Sequence, residues 1–249
     1  MHPVLISFGN VTIYSFGVFL ALGILCGSLL VTFLLHKARL SSHGLFDSIL
    51  FLLLCGVIGA RLAYVIIYPQ FFSPPGGSWT NVFALWNGGL IFYGAVLCGL
   101  FSTWFNFRCD DSLWRMFDLM TFGLCAGLIF GQIGCLFGGC ANGILSNAKF
   151  VLNGRVPIQL YEALALTVVL AFGLMYYLRF SSWRKGGFVF IYGGLTIFTI
   201  RLLTDYWRPA DINWHNISAL KIADAGFIIL FSVILVMRSK KSASKMNQE

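Results

Sequence analysis

Seven stretches of about twenty predominantly apolar residues follow one another along the chain, at about 12–35, 46–67, 88–107, 117–137, 158–178, 187–204 and 217–237. A bilayer core of about 30 Å takes roughly 20 helical residues to cross, and it offers no water to a loose backbone amide. Each stretch is therefore constrained to a helix whose hydrogen bonds close within itself. Composition agrees: of 249 residues only 10% are charged and 58% are apolar, against about 25% charged in a water-soluble domain. An ordinary soluble enzyme is excluded, and 25 Phe, 9 Tyr and 7 Trp exclude a disordered chain. The expected fold class is an all-α integral membrane protein with seven transmembrane helices. They form one bundle over residues 1–237, followed by a basic polar tail, 238–249. Met1-His2-Pro3 puts no Lys or Arg ahead of the first apolar run, so that run is expected to remain as a span.

The net charge of +8 does not point to nucleic acid, because the basic residues lie between apolar runs. One set of connections holds Lys37, Arg39, Arg108, Arg115, Arg179, Arg184 and Lys185, and the tail adds Arg238, Lys240, Lys241 and Lys245. The opposite set holds Lys149, Arg155, Arg208 and Lys221, and the stretch from Pro69 to Asn87 has no charge. Short cytoplasmic loops retain Lys and Arg, which places the N-terminus outside and the C-terminus inside. No internal repeat is evident, so the two-halves signature of many transporters is missing. Gly131, Gly134, Gly138 and Gly139 would let helix backbones approach closely.

Ionisable side chains inside apolar spans are costly and usually face a cavity or a partner. Arg61 lies toward the outer half of the second span, Glu162 begins the fifth, and Arg201 ends the sixth. With the orientation above, all three reach the outer leaflet. Arg201, Asp205 and Arg208 follow i, i+4, i+7 spacing, which places two guanidinium groups around one carboxylate if the helix continues that far. This set admits two readings. One is a buried ion-pair network in which Glu162 and Asp205 neutralise the arginines. The other is a site for an anionic headgroup, since the planar fork of Arg suits phosphate. Tyr93, Gln132, Gln159 and Tyr161 add polar groups at the same rim, or simply satisfy neighbours in the helices. Cys135 and Cys140 approach the outer face and admit a disulfide in an oxidising compartment. A C-x4-C spacing without a nearby His does not support a metal site, and none is expected.

The motifs together resemble those of the prolipoprotein diacylglyceryl transferases of bacterial cytoplasmic membranes, over nearly the whole chain. The matching pieces, in order, are His2-Pro3-Val4, Gly59-Ala60-Arg61-Leu62-Ala63-Tyr64, Gly88-Gly89 with Phe92-Tyr93-Gly94, Gly131-Gln132-Ile133-Gly134, Pro157-Ile158-Gln159-Leu160-Tyr161-Glu162-Ala163, and Arg201-x3-Asp205-x2-Arg208. The resemblance implies transfer of the diacylglyceryl group of phosphatidylglycerol to the lipobox cysteine thiol of a preprolipoprotein. A thioether forms, glycerol 1-phosphate leaves, and no cofactor takes part. It further implies that Arg201 holds the phosphate, while Glu162 and Asp205 orient the arginines or help accept the thiol proton. Tyr93 and Gln132 fall at catalytic positions. Arg61, Arg208, Gln159, Tyr161, Gly131, Gly134 and Gly143 are the expected substrate-binding residues. The implied partners are phosphatidylglycerol, a lipobox signal sequence and the bilayer, and no nucleic acid.

Four positions depart from the family pattern. Gly131-Gln132-Ile133-Gly134-Cys135 stands where the pattern has Gly-Arg-Ile-Gly-Asn, so a neutral amide replaces a guanidinium. Tyr93 stands in place of a histidine, Phe16 in place of a tyrosine, and Val156-Pro157 in place of His-Pro. Two function classes stay open: a transferase in which Arg61, Arg201 and Arg208 compensate for Gln132, and a non-catalytic relative that binds phosphatidylglycerol or lipoprotein signal sequences as a scaffold or regulator. A transferase for another lipid or acceptor, or a small transporter, ranks after them.

Overall fold

The computed structural model describes residues 4–8, 11–38, 40, 45–72, 78–84, 88–110, 112–140, 143–145, 151–152, 154–179, 186–208, 213–214 and 217–246. His2-Pro3 and the loop cations Arg39, Lys149, Arg184 and Lys185 lie outside the described residues. Seven α-helices are formed among those described: α1 (Ser15–Lys37), α2 (Leu45–Ile67), α3 (Phe92–Phe107), α4 (Leu113–Gly138), α5 (Ile158–Arg179), α6 (Phe188–Thr204) and α7 (Ala219–Met246). Six of them are long and apolar enough to cross a membrane. The other, α3, is apolar but has 16 residues, short of the roughly 20 that a straight crossing takes.

The third apolar stretch was expected to be helical from residue 88. Gly88 and Gly89 have φ of 75° and 76°, in the left-handed region that a right-handed helix cannot include. Ile91 is still extended and donates its N–H to Ala60 O at 3.0 Å, so the helix starts only at Phe92. At the other end of the chain, α7 continues to Met246, carrying the basic residues after Arg238 as helix. The all-helical expectation also omitted two short antiparallel ribbons. Strand β1 (Val4–Phe8) pairs with β2 (Val11–Tyr14) in the register Ile6 to Ile13, and β3 (Asn213–Trp214) pairs with β4 (Ile217–Ser218). Apolar β-branched residues in β1 and β2 favour this extended form.

The chain divides into two compact units, one made of residues 1–34 and 118–249, the other of residues 35–117. In the first unit, α1 and α4 approach through glycines. A Cβ on Gly27 would lie 2.7 Å from Gly123 O, and one on Gly23 would lie 3.0 Å from Gly127 O. Both helices thus present a small-x3-small pair. Gly134 joins this contact, 2.8 Å from Phe19 Cβ, whereas a Cβ on Gly131 would meet nothing within 4 Å. Cys125 of α4, Leu166 of α5 and Ile197 of α6 make a buried apolar cluster. Asp118 of α4 accepts the N–H groups of Gly187 at 2.5 Å and Phe190 at 2.7 Å, which satisfies donors that the first turn of α6 leaves open.

In the second unit, α2 packs on α3 along Gly59, Ala63, Gly94 and Cys98. A Cβ on Gly94 would lie 2.6 Å from Ala63 Cβ. Throughout, the usual inside and outside are exchanged: Leu29 and Ile229 are 60% and 64% exposed while Glu162 and Asp224 are 0% exposed. Such a surface suits hydrocarbon as its solvent.

Candidate functional site

The first unit gathers ionisable groups from the ends of three helices. Pro157 precedes α5, where its fixed φ suits a helix start, and Glu162 follows as the fifth residue of that helix. Arg201 and Thr204 lie in the last turn of α6. There the helix tightens into a 3₁₀ turn, Asp205–Trp207, with about 3.0 residues per turn in place of 3.6. The straight stripe expected for Arg201, Asp205 and Arg208 therefore does not form as drawn. Arg208 does pair with Asp205, Nη1 to Oδ1 at 3.0 Å. The carboxylate within ion-pair distance of both arginines is Glu162: Arg208 Nη2 is 3.0 Å from Oε1, and Arg201 Nη1 is 3.7 Å from Oε2.

Glu162 is the hub of the arrangement. Its Oε1 also accepts a hydrogen bond from Thr204 Oγ1 at 2.6 Å, and its Oε2 accepts one from Gln132 Nε2 of α4. Both oxygens are thus filled by donors from α4, α6 and the turn beyond it. A carboxylate so buried is stable only when its lone pairs are satisfied and its charge is balanced. Asp224 of α7, fully buried, lies 3.6 Å from Arg201 Nε. Asp205 is buried too, and among the described residues neither of its oxygens accepts a well-aligned hydrogen bond.

Around this hub sit several of the residues expected to bind substrate. Gln159, buried three residues before Glu162, donates Nε2 to Cys140 O. Cys140 is joined to Cys135 as a disulfide, and its N–H donates to Cys135 O at 3.1 Å. Gly143 is held against the entry to α5, where a Cβ would lie 3.1 Å from Ile158 Cδ1. Arg155 Nη1 donates to Gly143 O at 3.4 Å. Tyr161 is half-buried, and Gly131 sits one residue before Gln132 with open space beside it.

Arg61 and Tyr93 belong to the second unit. Arg61 is buried, and each of its five N–H groups has a backbone carbonyl: Nε donates to Val82 O at 2.9 Å, Nη1 to Gly88 O at 2.5 Å and Gly89 O at 3.1 Å, and Nη2 to Asn81 O at 2.5 Å and Ala84 O at 3.2 Å. Its guanidinium carbon stands 5.3 Å from the Phe72 ring centre and 5.7 Å from that of Tyr64. A phosphate could take an Arg61 N–H only by displacing one of these carbonyls. Tyr93 is buried in the first turn of α3, edge-on to Phe92.

Sequence reasoning missed Asp224, Thr204 and Asp118. For Asp224 and Asp118 the signal was present, a carboxylate within an apolar stretch, and the same cost argument that singled out Glu162 applies to them. Thr204 carried no such signal. Among the described residues no group of three or more His, Cys, Asp or Glu is placed to hold a metal ion.

A family described as prolipoprotein diacylglyceryl transferase matches residues 3–238 of the chain. The phosphatidylglycerol–prolipoprotein diacylglyceryl transferase of Gloeobacter violaceus is 31% identical over 205 residues, covering 76% of this chain and 76% of that protein. Proteins of the same name from Chloroherpeton thalassium and Clostridium tetani are each 26% identical. Those matches cover 98% and 94% of this chain, and 94% and 95% of the respective relatives.

Proposed function

The chain belongs to the prolipoprotein diacylglyceryl transferase family, and from that premise we propose that it transfers the diacylglyceryl group of phosphatidylglycerol to the lipobox cysteine thiol of a preprolipoprotein. It does so as a multi-pass protein of the bacterial cytoplasmic membrane, with α3 completing seven spans, the N-terminus outside and the C-terminus in the cytoplasm. The observation that carries this reading is the half-buried pair of guanidinium groups, Arg201 and Arg208, held on one buried carboxylate, Glu162.

In the reaction the acceptor sulfur forms a bond to the glyceryl carbon that bears the phosphate ester. The carbon–oxygen bond breaks, and glycerol 1-phosphate leaves with the electron pair. Negative charge grows on the departing phosphate, so guanidinium groups already in place lower the barrier without reorganising. Arg201 receives that phosphate, and Arg208 adds a second fork. Glu162 has donors on both oxygens, which suits it to orienting the arginines. Asp205 faces Arg208 through Oδ1, and its other oxygen, which accepts no hydrogen bond among the described residues, takes the thiol proton. Gln159, Tyr161, Gly131, Gly134 and Gly143 shape the surrounding pocket for the lipid and the peptide, and no cofactor is required.

Gln132 favours a second reading, a relative that binds phosphatidylglycerol or lipoprotein signal sequences without turnover. It bonds Glu162 through a neutral amide where the family pattern has a guanidinium, so the site has one cation fewer. One experiment separates the two. The purified protein in phosphatidylglycerol vesicles is given a lipobox peptide, and the peptide mass and released glycerol phosphate are followed for wild type and Gln132→Arg. Adduct with wild type is the expected result. Adduct with Gln132→Arg alone supports the non-catalytic relative, and adduct with neither removes the transferase reading.

A further inference from the structure

Arg201 is flanked by carboxylates from two different helices. Glu162 of α5 lies 3.7 Å from Nη1, and Asp224 of α7 lies 3.6 Å from Nε. Asp224 is the sixth residue of α7 and has no solvent exposure. A carboxylate buried within an apolar span is costly, so a compensating interaction is needed. Glu162 by itself is a poor exclusive partner for Arg201, because Arg208, Thr204 and Gln132 share it.

We propose that Asp224 is a positioning residue for Arg201, holding the guanidinium by its Nε edge so that the Nη groups are kept toward Glu162 and toward an incoming phosphate monoester or diester. The identity of that phosphate rests on the function proposed above; the hold on Arg201 does not. A guanidinium is planar, and pinning one edge fixes the plane of the whole fork. Both carboxylates stand at more than 3.5 Å, outside the short range of a charge-assisted hydrogen bond, about 2.7–2.9 Å. Arg201 is therefore kept ionised and aimed, while a phosphate oxygen at closer range makes the stronger contact. Gln132 makes the aim more important, since the α4 side chain that meets Glu162 is a neutral amide and brings no charge of its own.

The test uses the full chain in lipid vesicles with ¹⁵N-labelled arginine. The Arg201 Nε–H resonance is identified by its absence in Arg201→Lys. Asp224→Asn is expected to shift that resonance and speed its exchange with water. It is also expected to raise KM for phosphatidylglycerol about tenfold with a smaller change in kcat, the pattern of lost binding alignment. Asp224→Glu keeps the charge and is expected to restore KM to within about threefold. In an Arg201→Lys background Asp224→Asn should add little, because the edge it holds is gone. An unmoved Arg201 resonance in a folded Asp224→Asn protein overturns the proposal, as does an equal loss in the Arg201→Lys background. Should Asp224→Asn fail to insert, the resonance in Asp224→Ser, which also removes the carboxylate, decides: a shift supports the hold, and an unmoved signal overturns it. A wild type without transfer removes the function proposed above, and the Arg201 resonance still decides the role of Asp224.

Discussion

Arg61 and Arg201 are both guanidinium groups set in apolar helices, and the two units of the chain satisfy them in opposite ways. Arg61 has five neutral carbonyl acceptors, drawn from residues 81, 82, 84, 88 and 89. Its hydrogen bonds are complete, and among the described residues no carboxylate forms an ion pair with it. Arg201 has charge compensation from Glu162 and Asp224 at longer range. A guanidinium clamped by backbone staples a loop, and releasing it leaves carbonyls unsatisfied. One held by carboxylates at 3.6–3.7 Å can take on an anionic partner without dismantling the backbone. The same residue type thus binds a loop's backbone in one unit and, on the function proposed above, meets an exchangeable anion in the other.

The largest expected effect separates these roles on the chemical side. Arg201→Ala should cut diacylglyceryl transfer by about 100- to 1,000-fold, the range for losing one preorganised donor to a developing anion, with the protein still inserted and helical by circular dichroism. Glu162→Gln comes next: it removes the shared charge and leaves two half-buried guanidinium groups under-compensated, for about 3 kcal/mol of stability, read by pulse proteolysis in detergent. If Arg201 and Arg208 proved as stable without the carboxylate, the contrast with Arg61 would collapse.

Arg61→Lys tests the architectural side. An ammonium offers three donors in place of five, so at least two carbonyls lose their partner, at about 2 kcal/mol in all. The expected signature is faster cleavage of the 78–91 segment by protease, with kcat of the intact fraction unchanged. A large fall in kcat in an undigested protein would move Arg61 from staple to site. The smallest effect is expected for Thr204→Val, which removes one hydroxyl bond to Glu162 at about 1 kcal/mol. Thermal unfolding followed by intrinsic Trp fluorescence resolves a change of that size.

Much of this was legible from residue order, because hydrocarbon allows few backbone solutions. Six of the seven apolar stretches became long helices near the expected positions. The cost of burying charge singled out Arg61, Glu162 and Arg201, and spacing added Asp205 and Arg208. Of these, Glu162 meets Arg201 and Arg208, while Arg61 is taken up by backbone carbonyls. The third helix started late because two left-handed glycines and the bond from Ile91 to Ala60 are properties of a loop folded back on α2. Neither leaves a hydropathy signal. Asp224 was overlooked although the same rule reaches it.

By itself, then, the order of residues determined the membrane-spanning helical class, the short list of buried charges and the family motifs, since these follow from local composition and from spacing along one helix. Which carboxylate each arginine meets was decided only by tertiary structure. The 3₁₀ turn at Asp205–Trp207 breaks the stripe that straight helical spacing draws. Glu162, Gln132, Thr204 and Asp224 come from four helices, and their meeting depends on how those helices pack. A side chain's partner across helices is a matter of register and closeness of approach, and neither is written in the periodicity of any single segment.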